Sequence, residues 1–406
     1  MKRCLAILLT LAWLLMLCAC AVELVDAPPP LQDQPLPEII PELPSPFPGK
    51  IAIITTGLNG SEEEYCFAQQ ELARYGAAKI LHIAWPDDVM AEPELMVKTM
   101  AEIAADPGIK ALVINQAVSG TLTAIHKLQE IRSDIFITLI EAAENTPQLA
   151  QVADLILSTD EVGMGPAMIQ QAHKMGAKTF VYYSFPRHTA HPLLAQRYEL
   201  MEQECVKLGI TFVDATVPDP QEKGGIAGSQ QAIWEGVAQM AAQYGQDTAF
   251  FSTSCALQPP LVLAVVEAGA IYPQPCCPSP YHGIVQGLGI KFPEEYQSLS
   301  AEGLTYAIDE SARILQEKNM PGRISTWPVP AAMLMTAAGV EYAVKRLNGE
   351  APPEGIDVAL LEQCMADYAG VHCFTRVYEE NGVEYPNSLL VREDYLTFGE
   401  EQIKND

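Results

Sequence analysis

From Gly49 onward, short apolar runs alternate with longer segments whose apolar residues recur at helical spacing. "KIAIITT" is a β-branched run, and "SEEEYCFAQQELARYG" follows as an amphipathic helix closed by Gly76. The rhythm continues through strand "KILHIA", helix "EPELMVKTMAEIAAD", strand "KALVINQ", helix "SGTLTAIHKLQEIR", strand "IFITLIE" and strand "ADLILST". Strands that alternate with helices imply a parallel sheet covered on both faces.

The pattern then restarts. "GPAMIQQAHKMG" reads as a helix, "KTFVYYS" as a strand and "LLAQRYELMEQECVKLG" as a long helix. Strand "ITFVDATV", helix "GSQQAIWEGVAQMAAQYG", strand "TAFFSTS", helix "PPLVLAVVEAG" and strand "AIYPQ" complete a second α/β unit. The register loosens from Cys276 to Gly322, apart from helix "AEGLTYAIDESARILQEKN". "RISTWPV" and "AAMLMTAAGVEYAVKRLNG" supply one more strand and helix, and the tail from Ala351 reads as a strand-and-helix appendage. The expected class is α/β, with two lobes: 49–160 plus part of 290–345, and 161–289 plus part of 346–406.

Ahead of the lobes the pattern changes twice. Lys2 and Arg3 precede the apolar stretch Leu5 to Leu17, too short for a comfortable membrane span. It ends in "LCAC", a pattern that resembles a bacterial lipobox, so residues 1–19 are expected to be a signal peptide and Cys20 the lipidated residue. An ordinary signal peptide cut nearby is the alternative. Ala21 to Pro48 holds nine prolines, a semi-rigid spacer that reaches on the order of 80 Å when extended. Residues 20–48 therefore read as anchor and tether.

Loss of residues 1–19 leaves 22 basic residues against 51 acidic ones, a formal charge of −29. So acidic a surface repels nucleic acid and anionic lipid, so membrane attachment rests on the lipid anchor alone. Beyond Cys20 come seven cysteines: Cys66, Cys205, Cys255, Cys276, Cys277, Cys364 and Cys373. The odd number leaves at least one unpaired within a monomer. No C-x-x-C pair occurs and the histidines lack zinc-motif spacing, so no metal is expected. Cys364 and Cys373 are the pair to test for a local disulfide, and a vicinal bridge in "CCPSP" would carry strain. Buried free thiols fit most of the others.

Two similar α/β lobes behind a lipobox and a tether resemble the type I periplasmic-binding-protein fold, with Rossmann-like lobes and a ligand cleft between them. "TAFFSTSCALQPPLVLAVVEAG" resembles the strand, turn and helix that many such proteins carry in the second lobe. Ser254 and Cys255 stand where sugar binders of that fold have Asn-Asp, so sugar recognition does not carry over. A closer likeness is to a family of bacterial lipoproteins of unknown function. It is carried by "DPGIKALVINQAVSGT", "GAKTFVYYSFPRH", "PDPQEKGGIAGSQQAIWE", "YGQDTAFFSTSCALQPPL", "CCPSPYHG" and "GRISTWPVP". Pro259 departs from that pattern, where an acidic residue is expected.

In open parallel sheets, ligands bind beyond the carboxyl ends of the strands. The candidate contacts from the first lobe are then Thr56, Gly57 and Asn59, Asn115 and Gln116, Glu141, and Asp160 near the crossover. A strand-to-helix turn capped by Ser61 accounts equally well for the glycines there. The second lobe offers Ser184, Arg187 and His188 from "SFPRHTAHP", then Asp219 and Ser254. Arg187 is a fixed bidentate donor that suits a carboxylate or phosphate, with an ion pair as the alternative. His191 is placed at the start of the next helix. Tyr281 and His282 in "CCPSPYHG" offer a ring face and a polar tip, and Trp327 either covers a flat ligand or fills the core.

No H-e-x-x-H and no G-x-S-x-G occurs, and cysteines in apolar runs are more often inert. The chain is therefore not expected to be an enzyme, and no cofactor is expected. The expected function is that of a lipid-anchored extracellular solute-binding protein that takes a small polar ligand, anionic if Arg187 meets it, and serves a membrane transporter. A ligand sensor for a signalling receptor is the first alternative. A cleft hydrolase pairing Cys255 or Cys277 with His188 or His282 is the second.

Overall fold

The computed structural model describes residues 47–57, 62–294, 296 and 299–399. The expected signal peptide, Cys20, the tether and Asn59 lie outside the described residues. Among the described residues no helix is long and apolar enough to cross a membrane.

The first lobe opens with β1 (Lys50–Thr56), α1 (Glu62–Tyr75), β2 (Ile80–Trp85), α2 (Pro93–Ala105), β3 (Ile109–Asn115), α3 (Thr121–Ile131), β4 (Phe136–Ile140) and β5 (Leu155–Thr159). The second lobe holds α4 (Met164–Lys174), β6 (Thr179–Ser184), α5 (Pro192–Leu208), β7 (Thr211–Thr216), α6 (Gly225–Tyr244), β8 (Thr248–Ser252), α7 (Gln258–Ala268), α8 (Ala301–Glu317) and β9 (Ser325–Thr326). After these come α9 (Ala331–Leu347), α10 (Val358–Ala369), β10 (Cys373–Glu380), β11 (Val383–Glu393) and β12 (Leu396–Thr397).

The first sheet has the order β10-β11-β5-β4-β3-β1-β2 and is parallel except for the β10–β11 pair. Its central strands are apolar at nearly every position because both faces are covered. Side chains still alternate between the faces. Ile51, Ile53, Ala111 and Val113 pack with α1, α9 and α10, while Ala52, Ile54, Leu112 and Ile114 pack with α2 and α3. Helix α9 is buried nearly all round, as suits a helix laid across a sheet.

The second sheet has the order β7-β6-β8, all parallel. It continues through single bridges from Ala249 to Ile271 and from Tyr272 to Ile324, so "AIYPQ" and "RISTWPV" contribute bridges and a two-residue strand instead of full strands. Val181, Tyr183 and Phe250 face α6 and α7, whereas Phe180, Tyr182 and Phe251 face α4 and α5. Gly269, in the left-handed region at φ 66°, ends α7.

Two α/β lobes with largely parallel sheets match the expected class. The tail differs from expectation. Residues 346–393 lie in the first lobe, where Leu361, Met365, Leu389 and Val391 join its core and β11 pairs in parallel with β5. Only the last stretch returns to the second lobe, where β12 pairs with β9. The chain thus crosses between lobes after β5, before α9 and after β11. Asp160, Trp327 and Tyr395 stand at these three crossings.

Candidate functional site

The carboxyl ends of both sheets carry the polar groups that the strand pattern anticipates, and the structure sorts them into three kinds. The first kind is engaged by, or buried in, the fold itself. Asn115 is fully buried; its amide donates to Thr336 Oγ1 and its Oδ1 accepts from Gln116 N at 3.0 Å. Asp160 accepts from Gly163 N at 3.0 Å and from Arg376 Nη2 at 2.8 Å, with Arg392 3.5 Å away, so it ties the first crossing to β10 and β11. Ser184 pairs with Thr253 at 3.1 Å. The Ser254 carbonyl accepts from Gln258 Nε2 at 2.8 Å. Trp327 is 1% exposed and lies in the interior.

Arg187 and Asp219, both anticipated as separate ligand contacts, are instead partners. Arg187 Nε and Nη2 donate to the two Asp219 oxygens at 2.8 and 2.9 Å, and the guanidinium lies over Phe185. The bidentate bond holds the Asp219 carboxyl down to about 2. The donor fork meant for a ligand anion is thus engaged by this lobe's own carboxylate. His191 is the residue before α5, as its position suggests.

The second kind follows strand ends of the two sheets and is only part-buried or part-engaged. Thr56 Oγ1 is buried with no hydrogen-bond partner among the described residues, and Gly57 follows it, half-buried. Gln116 and Glu141, directly after β3 and β4, both have left-handed backbone (φ 44° and 47°), a conformation that non-glycine residues adopt at some cost. Gln116 Nε2 donates to Glu64 Oε1 at 2.8 Å, and Glu141 Oε1 accepts from Thr159 N and Oγ1. Glu161 follows β5, accepts from the buried Arg197 at 2.8 Å, and lies within the electrostatic reach of Glu141, Cys255 and Cys277. Burial raises its pKa, with Arg197 opposing. In the second lobe, His188 Nδ1 bonds Thr253 Oγ1 at 2.9 Å and its ring sits 4.1 Å from Phe185; burial and then Arg187 lower its pKa. Tyr281 lies beside Phe292, in the field of Glu63 at the start of α1.

The third kind is a cluster that sequence spacing concealed. Cys255, just after β8, meets Cys276, Cys277 and His282 from the loop after Tyr272, and their four ligand atoms all lie within 4.8 Å of one another. Cys255 Sγ is 3.4 Å from Cys276 Sγ and 3.7 Å from Cys277 Sγ. The two adjacent thiols are 3.9 Å apart, and Cys276 Sγ is 3.5 Å from His282 Nε2. Cys276 is buried, while Cys255 and Cys277 are exposed. Hydrogen bonds from Cys276, Cys277 and His282 hold the Cys255 thiol below its ordinary range. The bond to Cys255 pushes Cys277 up to about 12, and it raises Cys276 as well. One thiolate among three thiols is the arrangement this favours. The same loop meets the first lobe, where Glu63 lies against Ser279 and His282.

The expectation of no metal rests on the lack of a C-x-x-C pair and of zinc-motif spacing among the histidines. The fold instead gathers ligands from two loops, spaced as Cys, twenty residues, Cys-Cys, four residues, His. One signal was available: three of the seven cysteines follow two anticipated strands of the same lobe, with a histidine close behind. Cys364 and Cys373, the anticipated pair, are both buried free thiols, and Cys373 Sγ lies 3.8 Å from the Val371 carbonyl.

A cavity of about 580 Å³ opens elsewhere, between β6, β7 and α5, lined by Tyr198, Glu199, Glu202 and Asp214 among others. Of the anticipated contacts only Ser184 reaches it. It lies within the second lobe.

Residues 49–325 match the family described as Protein of unknown function (DUF3798). The chain belongs to this family. The DUF3798 match takes in β1 through α8 and both loops of the cysteine cluster, and it ends within β9, short of α9. A Treponema pallidum protein named only as uncharacterized is 32% identical over 176 residues, which span 42% of this chain and 80% of that one. A solved structure titled as a putative transcriptional regulator from Clostridium difficile 630 superposes with a TM-score of 0.76 at 19% identity, covering 87% of this chain and 99% of the other. That likeness is one of fold. A sugar ABC transporter structure from Actinomyces odontolyticus ATCC 17982 gives a TM-score of 0.45 at 12% identity, over 74% and 84% of the two chains.

Proposed function

We propose that this DUF3798 chain is a lipid-anchored, extracytoplasmic solute-binding protein that takes a small polar ligand between its lobes and presents it to a membrane transporter. One observation carries the reading. Groups that follow the carboxyl ends of strands in both sheets lie within one another's electrostatic reach, Glu141 and Glu161 on one side and Cys255 and Cys277 on the other. That is where open parallel sheets receive ligands. The three crossings support the reading as well, since two bodies linked by short backbone connections can close around what they hold. The lipobox-like "LCAC" and the proline tether support the anchor and the extracytoplasmic location.

The contacts we assign to the ligand are Thr56, Gly57, Gln116 and Glu141 from the first lobe and His188 and Tyr281 from the second. Arg187 is no longer the ligand's anchor, because Asp219 occupies its fork. With Glu63, Glu141 and Glu161 facing the gap, a neutral or cationic solute fits better than an anionic one. The role is one of binding, not turnover.

The test is a thermal-shift screen of neutral, cationic and anionic solutes on the full chain, followed by calorimetry. Gln116→Ala and His188→Ala, one from each lobe, are each expected to weaken the hit about tenfold or more. Loss confined to variants of one lobe, or conversion of the solute into product, would reject the proposal.

A further inference from the structure

We propose that Cys255, Cys276, Cys277 and His282 form a tetrahedral site for one zinc(II) ion in the wall of the inter-lobe gap. Geometry is the first argument. With bonds of about 2.3 Å to sulfur and about 2.0 Å to nitrogen, a tetrahedral centre sets S···S edges of about 3.8 Å and S···N edges of about 3.5 Å. The three sulfur pairs stand at 3.4, 3.7 and 3.9 Å, and Cys276 Sγ to His282 Nε2 is 3.5 Å. Four separations of a six-edged tetrahedron thus lie within about 0.4 Å of the lengths such a centre sets, and the other two fall under the common 4.8 Å limit.

Chemistry is the second argument. Three thiolates and one imidazole make a borderline-soft donor set that suits zinc and excludes the oxygen-seeking calcium and magnesium. All four positions come from protein, which is the pattern of a retained ion and not of a catalytic one with an open site. On binding, the ion replaces the protons held by the thiols, and these leave to solvent. Exposed Cys255 and Cys277 give the ion its way in, and buried Cys276 forms the floor.

The site has a consequence for the gap. Three of its ligands lie on the loop whose Ser279 and His282 meet Glu63 of the first lobe, and the fourth follows β8. A bound ion would fix that loop to the end of β8 and so fix the surface the first lobe closes on. The inference stands on these four residues and does not depend on the transport reading.

The experiment uses the full chain, purified with a reducing agent and without chelator. Elemental analysis is expected to find about one zinc per chain, and chelation is expected to lower the melting temperature. Cobalt(II), substituted for zinc, is expected to give the intense thiolate-to-cobalt charge-transfer bands of a sulfur-rich tetrahedral site. Cys255→Ser and His282→Ala are each expected to weaken zinc roughly 100-fold or more, with circular dichroism confirming that the variants fold. The cobalt spectrum of the unaltered chain decides the matter if they do not. Reduced chain that takes up no stoichiometric zinc, a cobalt spectrum without charge transfer, or a stable disulfide between Cys255 and Cys276 or Cys277 that persists in place of the metal would overturn the proposal.

Discussion

Glu71 shows how much a single side chain can depend on its surroundings. It lies on the core-facing side of α1, 5% exposed, and burial raises its carboxyl to about 7 although Arg74 opposes the shift. A folded pKa above the ordinary 4.5 favours the protonated form in the native state. Stability from this group is therefore full below about pH 4.5 and is lost as pH rises toward 7. Glu71→Gln removes the titration. Denaturant melts at pH 5 and pH 8 should show the variant losing less stability than the parent across that interval, by on the order of 2–3 kcal/mol. Parallel profiles would mean that Glu71 stays ionised in the fold. At this scale the strand pattern points to residues at strand ends but not to their partners. Arg187 and Asp219 each follow a strand, but nothing in their 32-residue separation shows that two such turns lie side by side. The cysteine cluster stayed hidden for the same reason, since Cys255 and Cys276 are brought together only by the pairing of β8 with the chain around Ile271.

Elements were far more legible, because their signals are local. Strands β1 to β5 are short apolar runs, the longer helices between them carry a 3.6-residue rhythm, and the structure places them where those rhythms lie. The close approach of α4 and α5 was not legible, since it depends on one missing side chain. A Cβ on Gly165 would stand 2.7 Å from Arg197 Cγ, 2.9 Å from Met201 Cγ and 3.1 Å from the Arg197 carbonyl oxygen. Arg197 is 2% exposed and reaches Glu161 at the lobe crossing, so α5 cannot back away without moving that bond. Gly165→Ala is expected to cost about 1–3 kcal/mol of stability, read as a lowered melting temperature. An unchanged melting temperature would mean that the two helices have slack.

At the scale of the molecule, two lobes and their parallel sheets follow from the order of elements, whereas the course of the tail does not. β11 enters the first sheet beside β5, more than two hundred residues earlier in the chain, and β12 then pairs with β9 in the second lobe. Such long-range pairing leaves no local trace, and Ala351 onward looked like an appendage for that reason. Its actual path makes it the third link between the lobes, so the tail takes part in setting how they meet. The account's central claim is that the space where they meet is the binding site. A crystal structure of the full chain as purified, or soaked with a screening hit, tests this most directly. The account predicts density for a small molecule that touches Gln116 or Glu141 from the first lobe and His188 or Tyr281 from the second. Density seated instead in the cavity between β6, β7 and α5, with the space between the lobes holding only water, would contradict it.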